Sequence, residues 1–429
     1  MSWRALCRLL LTGPAVCIVF AAAGSGCGSG RHTPTTTIPF VNDFTGAYSQ
    51  VAQNVQNGLL LAADDINAQG GVLGHSLSFD TRDSRGFNDV AANLARDFVK
   101  SGQSVIIAPV SSSGTLNMLQ VTGPAHVVLM APASVSTDLT NYNQSLADRK
   151  DSSAGYFFRT IATQSGLVTA LAKHASTAGL LKVAVISSFA NNTAALYFQT
   201  VFQDLVKVRG GQVVYLTSYP SPLGEDFPIK DTLRRAFSFS PDAILLASTE
   251  PDGTAFLRAW VQLGASLAWN GAWLVLDSMM FPSVALNVGK TFVTGIIGAT
   301  PARPDTSSWT YFQQHYKAAF GEPAAQASPE GYDCVFLLAL AMEQAGSTDS
   351  EAVRQALPLV ANPPGEQVFA GDWATARALV QQGTDVDYVG AAGPQDFNAL
   401  GDVQAPVQLW TFDSDGNIQQ LEQVDVSAP

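Results

Sequence analysis

The sequence is poor in charge and poorer still in cations. Only 14% of its 429 residues are charged, Lys and Arg number 23 against 35 Asp and Glu, and the formal net charge is −12. Nucleic acid is a poor partner for such a chain, because neutralising phosphates requires basic patches that this composition does not supply. Cysteine is scarce: of four, Cys7, Cys17 and Cys27 lie at the N-terminus, which leaves Cys334 alone in the body. Cys334 sits in the apolar stretch GYDCVFLLALAMEQAG, where a buried structural thiol is expected and a nucleophile is not. The five histidines, His32, His75, His126, His174 and His315, form no metal-binding pair. There is no Gly-Lys-Ser/Thr phosphate loop and no Gly-x-Ser-x-Gly elbow after a strand. A Ser111/His126/Asp277 triad fails because His126 precedes the strand VVLM and falls at the edge opposite the strand ends. Asp413, Asp415 and Asn417 fail as calcium ligands, because Gly416 comes too early and no bidentate Glu follows. These absences point away from catalysis, metals and cofactors.

What is present begins with an export signal. Arg4 and Arg8 precede an apolar run from Leu9 to Ala23, interrupted by Gly13 and Pro14 and followed by small residues. The run is shorter than the ~20 residues of a spanning helix. Gly24-Ser25-Gly26-Cys27 resembles a bacterial lipobox, although Gly24 stands where a larger aliphatic residue is usual. The expectation is a signal peptide over 1–26 and a lipid-modified Cys27, with cleavage after Ala21 to Ala23 and simple secretion as the alternative. Either route puts the mature chain outside the cytoplasm. Residues 27–37 then read as the lipidated Cys and a flexible tether rich in Gly, Thr and Pro, and the fold is expected to start near Ile38.

From there helices and strands alternate, as in an α/β protein with parallel sheets. Val51, Val55, Leu59, Ala62 and Ile66 recur at spacings of three and four and predict a helix over Gln50 to Ala68. The strands SLSFDTRD, SVIIAP and HVVLMAP follow with their helices, then a polar stretch from Ser136 to Ser153. A second series brings KVAVISS, GQVVYLTSY, DAILLAS and AWLVLD, with helices between them that include Thr193 to Arg209. After Gly295 mainly helices are predicted, closing with a strand pair about Asp415-Gly416. Ligands collect at the carboxyl ends of strands in open α/β sheets, so four ends stand out. Ser111-Ser112-Ser113-Gly114 combines hydroxyls with a helix N-terminus suited to a carboxylate. Ala131-Pro132-Ala133-Ser134 leaves its backbone approachable, and Thr249-Glu250-Pro251-Asp252 and Asp277-Ser278 offer acids. Each feature alone is an ordinary cap or turn; together they match a small zwitterion.

Five segments in order, NAQGGVLGHSLSFDTRDSRG, IIAPVSSSGT, APASVSTDLT, YFFRT and DYVGAAGPQDFNALGDV, resemble the type I periplasmic substrate-binding proteins, most of all the leucine/isoleucine/valine-binding family of ABC importers. The resemblance runs from about residue 40 to the C-terminus. It implies two Rossmann-like parallel-sheet lobes joined by a three-strand hinge, with crossings near Phe158 to Ile161, Ile297 to Thr300 and Gly393 to Asn398. Lobe 1 would be 38–160 plus 299–393, and lobe 2 would be 161–298 plus 394–429. It implies that Ser111, Ser112, Ala133 and Ser134 hold an α-carboxylate and that Asp277 takes the α-ammonium. Val135 stands where the branched-chain binders have Thr, with Ser134 or Ser136 available as substitutes. Tyr positions of that family fall near Asn191-Asn192 and Glu250, so Asn192 and Glu250 are expected to line an altered side-chain pocket. That leaves another amino acid, an amide, a urea-like compound or an aromatic acid open as ligand, and Glu250 either charges the pocket or is solvated before Pro251. The implied partners are a small solute, an ABC permease/ATPase complex and, through lipid, the membrane. The alternative is a sensor or receptor subunit of the same fold. Cys27→Ser should move the protein from the membrane to the soluble fraction; continued membrane fractionation would mean an uncleaved anchor.

Overall fold

The computed structural model describes residues 34–188, 202–264, 269–303, 305–424 and 426; Cys27, Asn192 and most of the helix expected over Thr193 to Arg209 lie outside them. The first sheet is parallel throughout, in the order β2-β1-β3-β4-β5, from β1 (Thr35–Asn42), β2 (Ser76–Asp83), β3 (Val105–Ile107), β4 (Val128–Ala131) and β5 (Phe157–Arg159). Its strands alternate with α1 (Ser49–Ala68), α2 (Asn88–Lys100), α3 (Ser112–Thr122) and α4 (Thr137–Asp148). β1 starts three residues before Ile38, because Thr35, Thr36 and Thr37 pair with Ser76, Leu77 and Ser78; those threonines are strand, where the sequence suggested tether. The polar stretch after Ser136 is α4, capped by Ser136, whose hydroxyl accepts from the Asp138 N–H. Only Leu139, Asn143 and Leu146 of it are buried, which is why no apolar periodicity announces it.

The chain then passes through α5 (Gln164–Thr177) into a seven-stranded sheet of order β15-β14-β10-β9-β8-β6-β7. Its parallel part is β6 (Lys182–Ser188), β7 (Gln212–Tyr219), β8 (Ala243–Ala247), β9 (Ala272–Leu276) and β10 (Ile297–Pro301). The helices between are α6 (Gln203–Lys207), α7 (Ile229–Ser238), α8 (Glu250–Leu263), α9 (Pro282–Val288) and α10 (Lys290–Val293). The chain leaves this sheet after Pro301 and returns to the first lobe with α11 (Ser307–Phe320), α12 (Ser328–Ala345), α13 (Ser350–Ala361), β11 (Glu366–Phe369), α14 (Trp373–Gln381), β12 (Val386–Gly390) and β13 (Gly393–Pro394). The last three strands form a small sheet of their own. The C-terminal hairpin of β14 (Val407–Phe412) and β15 (Ile418–Val424) adds antiparallel to β10, about the turn that Asp-Gly signals.

Helix α12 is the spine of the first lobe. It is buried from Ser328 to Glu343 and shares one apolar core with α1, β1, β3 and the small sheet. Its crossing with α1 requires glycine on both sides: a Cβ on Gly58 would lie 1.9 Å from the Ser328 carbonyl oxygen, and one on Gly331 would lie 2.6 Å from that of Val55. Backbones at that separation exclude any side chain. Cys334 is free and buried in this helix, and burial raises its thiol well above the ordinary range.

The passages between lobes are tied by a buried ion pair. Arg159, at the end of β5, is fully buried, and its Nε donates to Asp402 Oδ1 at 2.6 Å. Its Nη1 donates to the Ser134 and Ser136 carbonyls at 2.9 and 2.8 Å, and its Nη2 to the Thr140 hydroxyl. Asp402 belongs to the stretch that leads from β13 to β14, so one guanidinium joins two of the passages. Removing one member of such a pair leaves an uncompensated buried charge. Asp402→Ala should destabilise the fold by about 3–5 kcal/mol, read as a lower denaturant midpoint; a loss below 1 kcal/mol would show that the pair is dispensable.

Candidate functional site

The residues that follow the strands of the two parallel sheets are the candidates. From the first sheet come Asp43 after β1, the Ser111-Ser112 loop after β3 and the turn 133–136 after β4. From the second come Ser187 in β6, Ser248, Thr249 and Glu250 after β8, and Asp277 after β9.

Ser111 is buried, 3% exposed, and caps α3 without a side-chain bond; its hydroxyl has no partner. Its N–H is occupied by Asp43 Oδ2 at 2.8 Å, so the donors left for an anion are the Ser111 hydroxyl and the first-turn N–H groups of α3, which no intrahelical carbonyl can satisfy. The Ser112 hydroxyl accepts the Ser136 N–H at 3.2 Å and docks the second turn against the first. Ala133 packs into the apolar core. Ser134 has no exposed surface: its hydroxyl donates to the Pro109 carbonyl at 3.0 Å and lies 2.7 Å from the Thr115 hydroxyl. It fastens the turn from beneath.

In the second lobe Asp277 opens a single 3-10 turn, Asp277–Met279, and is half-buried. Burial pushes its carboxyl up to about 6; the Gln326 carboxamide and the Ser278 N–H at 2.9 Å oppose the shift, Glu330 adds to it and Arg303 opposes it. Gln326, Glu330 and Arg303 belong to the return segment and the start of α12, so the acid of one lobe faces groups of the other. Arg303 Nη1 bonds Glu330 Oε1 at 2.6 Å. Glu250, half-buried, is the first residue of α8; its Oε1 accepts from the Ser283 hydroxyl at 2.9 Å. Ser278 donates to the Ser248 carbonyl at 2.6 Å, which fastens the Asp277 turn to the neighbouring strand end. Tyr48, at the N-cap of α1, is pushed up to about 12 by burial, then by Asp43 and then by Asp252, so it too senses acids of both lobes.

Asp43, Tyr48, Arg303, Gln326 and Glu330 were not legible as site residues. Asp43 follows a strand whose start reads as linker, Arg303 comes just after β10 at the return to the first lobe, and Tyr48, Gln326 and Glu330 do not follow strands at all. Among the described residues no group of three or more His, Cys, Asp and Glu could hold a metal ion, and no described helix is long and apolar enough to cross a membrane.

The sequence profile of the periplasmic binding protein family matches residues 35–417. The chain is 23% identical over 330 residues to a Leu/Ile/Val-binding protein, BraC3, of Rhizobium johnstonii, covering 75% of this chain and 83% of that protein. It is also 23% identical over 378 residues to BasB, a substrate-binding protein of a chemotactic signal transduction system in Halobacterium salinarum, covering 82% and 81%. Among solved structures, the leucine-binding protein LivK of Thermotoga maritima superposes with a TM-score of 0.73 at 21% identity, over 91% of this chain and 99% of that one. The type I fold read from five short segments is the fold observed.

An ammonium needs the ionised form of Asp277. Affinity for a zwitterion should therefore hold above pH 6 and fall below it, by up to about tenfold per pH unit, in titration calorimetry from pH 8 to 4.5; a flat profile would mean that Asp277 does not meet the ammonium.

Proposed function

The chain belongs to the periplasmic binding protein family, and from that premise we propose that it is the extracytoplasmic solute-binding lipoprotein of an ABC importer, capturing an amino acid or related small zwitterion in the interlobe cleft and delivering it to a permease. What supports this reading is that the strand ends of the two lobes offer unlike chemistries. The first lobe offers an unpartnered buried hydroxyl, Ser111, at an open helix N-terminus. The second offers the Asp277 carboxylate, pushed up to about 6 by burial. A carboxylate on the first and an ammonium on the second complete both at once, since the Ser111 hydroxyl is unpartnered and Asp277 accepts one backbone bond, from the Ser278 N–H. In this reading Ser112 and the turn Ala133–Ser136 position the carboxylate side, Glu250 borders the rest of the pocket, and Cys27 supplies the lipid anchor. Each lobe brings half of the site, so occupancy favours closure and closure reports occupancy to a membrane partner.

A second reading is favoured by the likeness to BasB, whose partner system is chemotactic. Here the same closure serves a receptor, and no solute is moved. Uptake of labelled solute in cells lacking the protein separates the two: lost uptake supports the importer, and normal uptake with lost taxis supports the sensor.

The cleft itself is tested by substitution. Asp277→Ala should leave the fold intact and weaken amino-acid binding by at least about thirtyfold, since truncating one partner of a buried charge pair costs about 2 kcal/mol or more. Ser111→Leu should fill the carboxylate pocket with similar effect. Unchanged affinity in both variants, measured by calorimetry, would take the zwitterion out of this cleft.

A further inference from the structure

A cavity of about 760 Å³ lies where the chain passes between the two sheets, a size suited to a small molecule. Four segments line it: the first turn of α4, residues between 162 and 169 in the next passage and α5, the passage 398–406, and the C-terminal end of β15. Helix α4 follows a strand of the first sheet and β15 is the edge of the second, so both lobes contribute walls. Ser111, Ser112, Glu250 and Asp277 are not among them. The walls carry hydroxyls, carboxamides and small apolar side chains, with no Lys, Arg, His or aromatic residue. Asp402 is the one ionisable group, and both its oxygens are committed: Oδ1 to Arg159 Nε at 2.6 Å and Oδ2 to the Thr140 hydroxyl at 2.7 Å. The Thr137 hydroxyl is buried without a partner among the described residues. Asn398 Oδ1 accepts the Leu400 and Asp402 N–H groups at 2.8 and 3.1 Å, which leaves its Nδ2 to donate elsewhere.

We propose that this cavity is a second binding site, for a neutral polyhydroxylated molecule of polyol or sugar size, coupled through Thr140, Asp402 and Arg159 to the turn Ala133–Ser136. Charge excludes ions. An anion would meet only the Asp402 carboxylate, and a cation would have to compete with Arg159 for oxygens already filled. The spread of polar groups excludes a ligand that is polar at one end only, since all four segments contribute hydroxyls or carboxamides. A hydroxyl both donates and accepts, so a molecule with hydroxyls along its length suits walls that offer both, and its carbon skeleton suits the alanine, proline and valine side chains between them. The coupling is a chain of bonds. Thr140 and Asp402 line the cavity, Arg159 bonds both, and the same guanidinium donates to the Ser134 and Ser136 carbonyls at 2.9 and 2.8 Å. Because the walls come from both lobes, a turn of one lobe against the other reshapes the cavity, and an occupant favours the arrangement that fits it. The assignment is independent of the solute taken at the strand ends.

The test uses the whole purified chain with D-sorbitol, D-glucose, succinate and putrescine as probes in saturation-transfer NMR at millimolar concentration. D-Sorbitol or D-glucose should receive saturation from the protein, and the two ions should not. Thr169→Phe, which fills the cavity from α5, should abolish that binding. Because a bulkier residue there risks disturbing the helix, Gln404→Ala at an exposed position serves as the second variant and should weaken binding about threefold or more, the loss of one hydrogen bond. Hydrogen exchange of the segment 133–148 should slow when the neutral probe is bound and should not respond to it in Thr169→Phe. No binding of either neutral probe, or binding of an ion that Thr169→Phe abolishes, overturns the proposal. Neutral binding undiminished in folded Thr169→Phe and Gln404→Ala takes the molecule to another place on the protein and removes this site. Unaltered exchange over 133–148 with the probe bound overturns the coupling.

Discussion

The arrangement at the cleft depends on one buried guanidinium. Arg159 closes the first sheet and reaches three things at once: Asp402 in the passage to β14, the carbonyls of Ser134 and Ser136, and the Thr140 hydroxyl. The turn it holds passes the constraint on, because the Ser136 N–H donates to the Ser112 hydroxyl and so locates the loop that carries Ser111. A planar fork with five donors can make these contacts in one rotamer; an ammonium on a flexible stem cannot. A charge buried so completely is tolerable only when paired and hydrogen-bonded, so the same bonds that shape the binding loop are those that make the arginine affordable to the fold. Hinge and site are therefore one network.

Of the carboxyls that burial raises, Asp333 and Asp277 are moved furthest, and their surroundings differ. Asp333 in α12 is pushed up to about 7, yet it accepts from the Ala391 and Ala392 N–H groups at 2.7 and 2.8 Å and from the Tyr388 hydroxyl at 2.8 Å. Its acceptors are filled by the chain itself, and its role is to hold the segment that follows β12. Asp277 accepts a single backbone bond and faces groups from the other lobe. A perturbed carboxyl is a weak functional signal alone; how many donors its own lobe already supplies decides its meaning.

Sequence periodicity located most helices to within a few residues and several strands, such as KVAVISS, to the residue, because both faces of a parallel strand are apolar. It failed where burial is thin or the contact remote. Thr35 to Thr37 pair in β1 without burying much, and α4 buries three side chains. The strand-end rule selected Ser111, Glu250 and Asp277, which follow β3, β8 and β9. It also selected Ser134, because a sequence tells which residues follow a strand and not which way a hydroxyl turns. Gln326, in the turn before α12, and Glu330, in its first turn, act on Asp277 from remote sequence, a tertiary fact with no local trace. The motif DYVGAAGPQ was recognisable before its purpose was: Asp333, more than fifty residues earlier, is its anchor.

Several polar groups near the strand ends are paired within their own lobes, and several are not. Ser134, Asp43 and Asp252 are all engaged inside their lobes, whereas Ser111, Thr249, Gln326 and Glu330 each keep a buried oxygen without a partner. Such atoms lower the stability of the unliganded protein by about 1–3 kcal/mol each where water does not reach them. In the reading proposed above, that deficit would also be the source of discrimination. A pocket completed only by donors in fixed places rejects a solute lacking one of them far more strongly than an apolar pocket rejects a missing methylene, because the rejected solute leaves the protein's own acceptor buried and unpaired. Selectivity here follows from which bonds the two lobes fail to make with themselves.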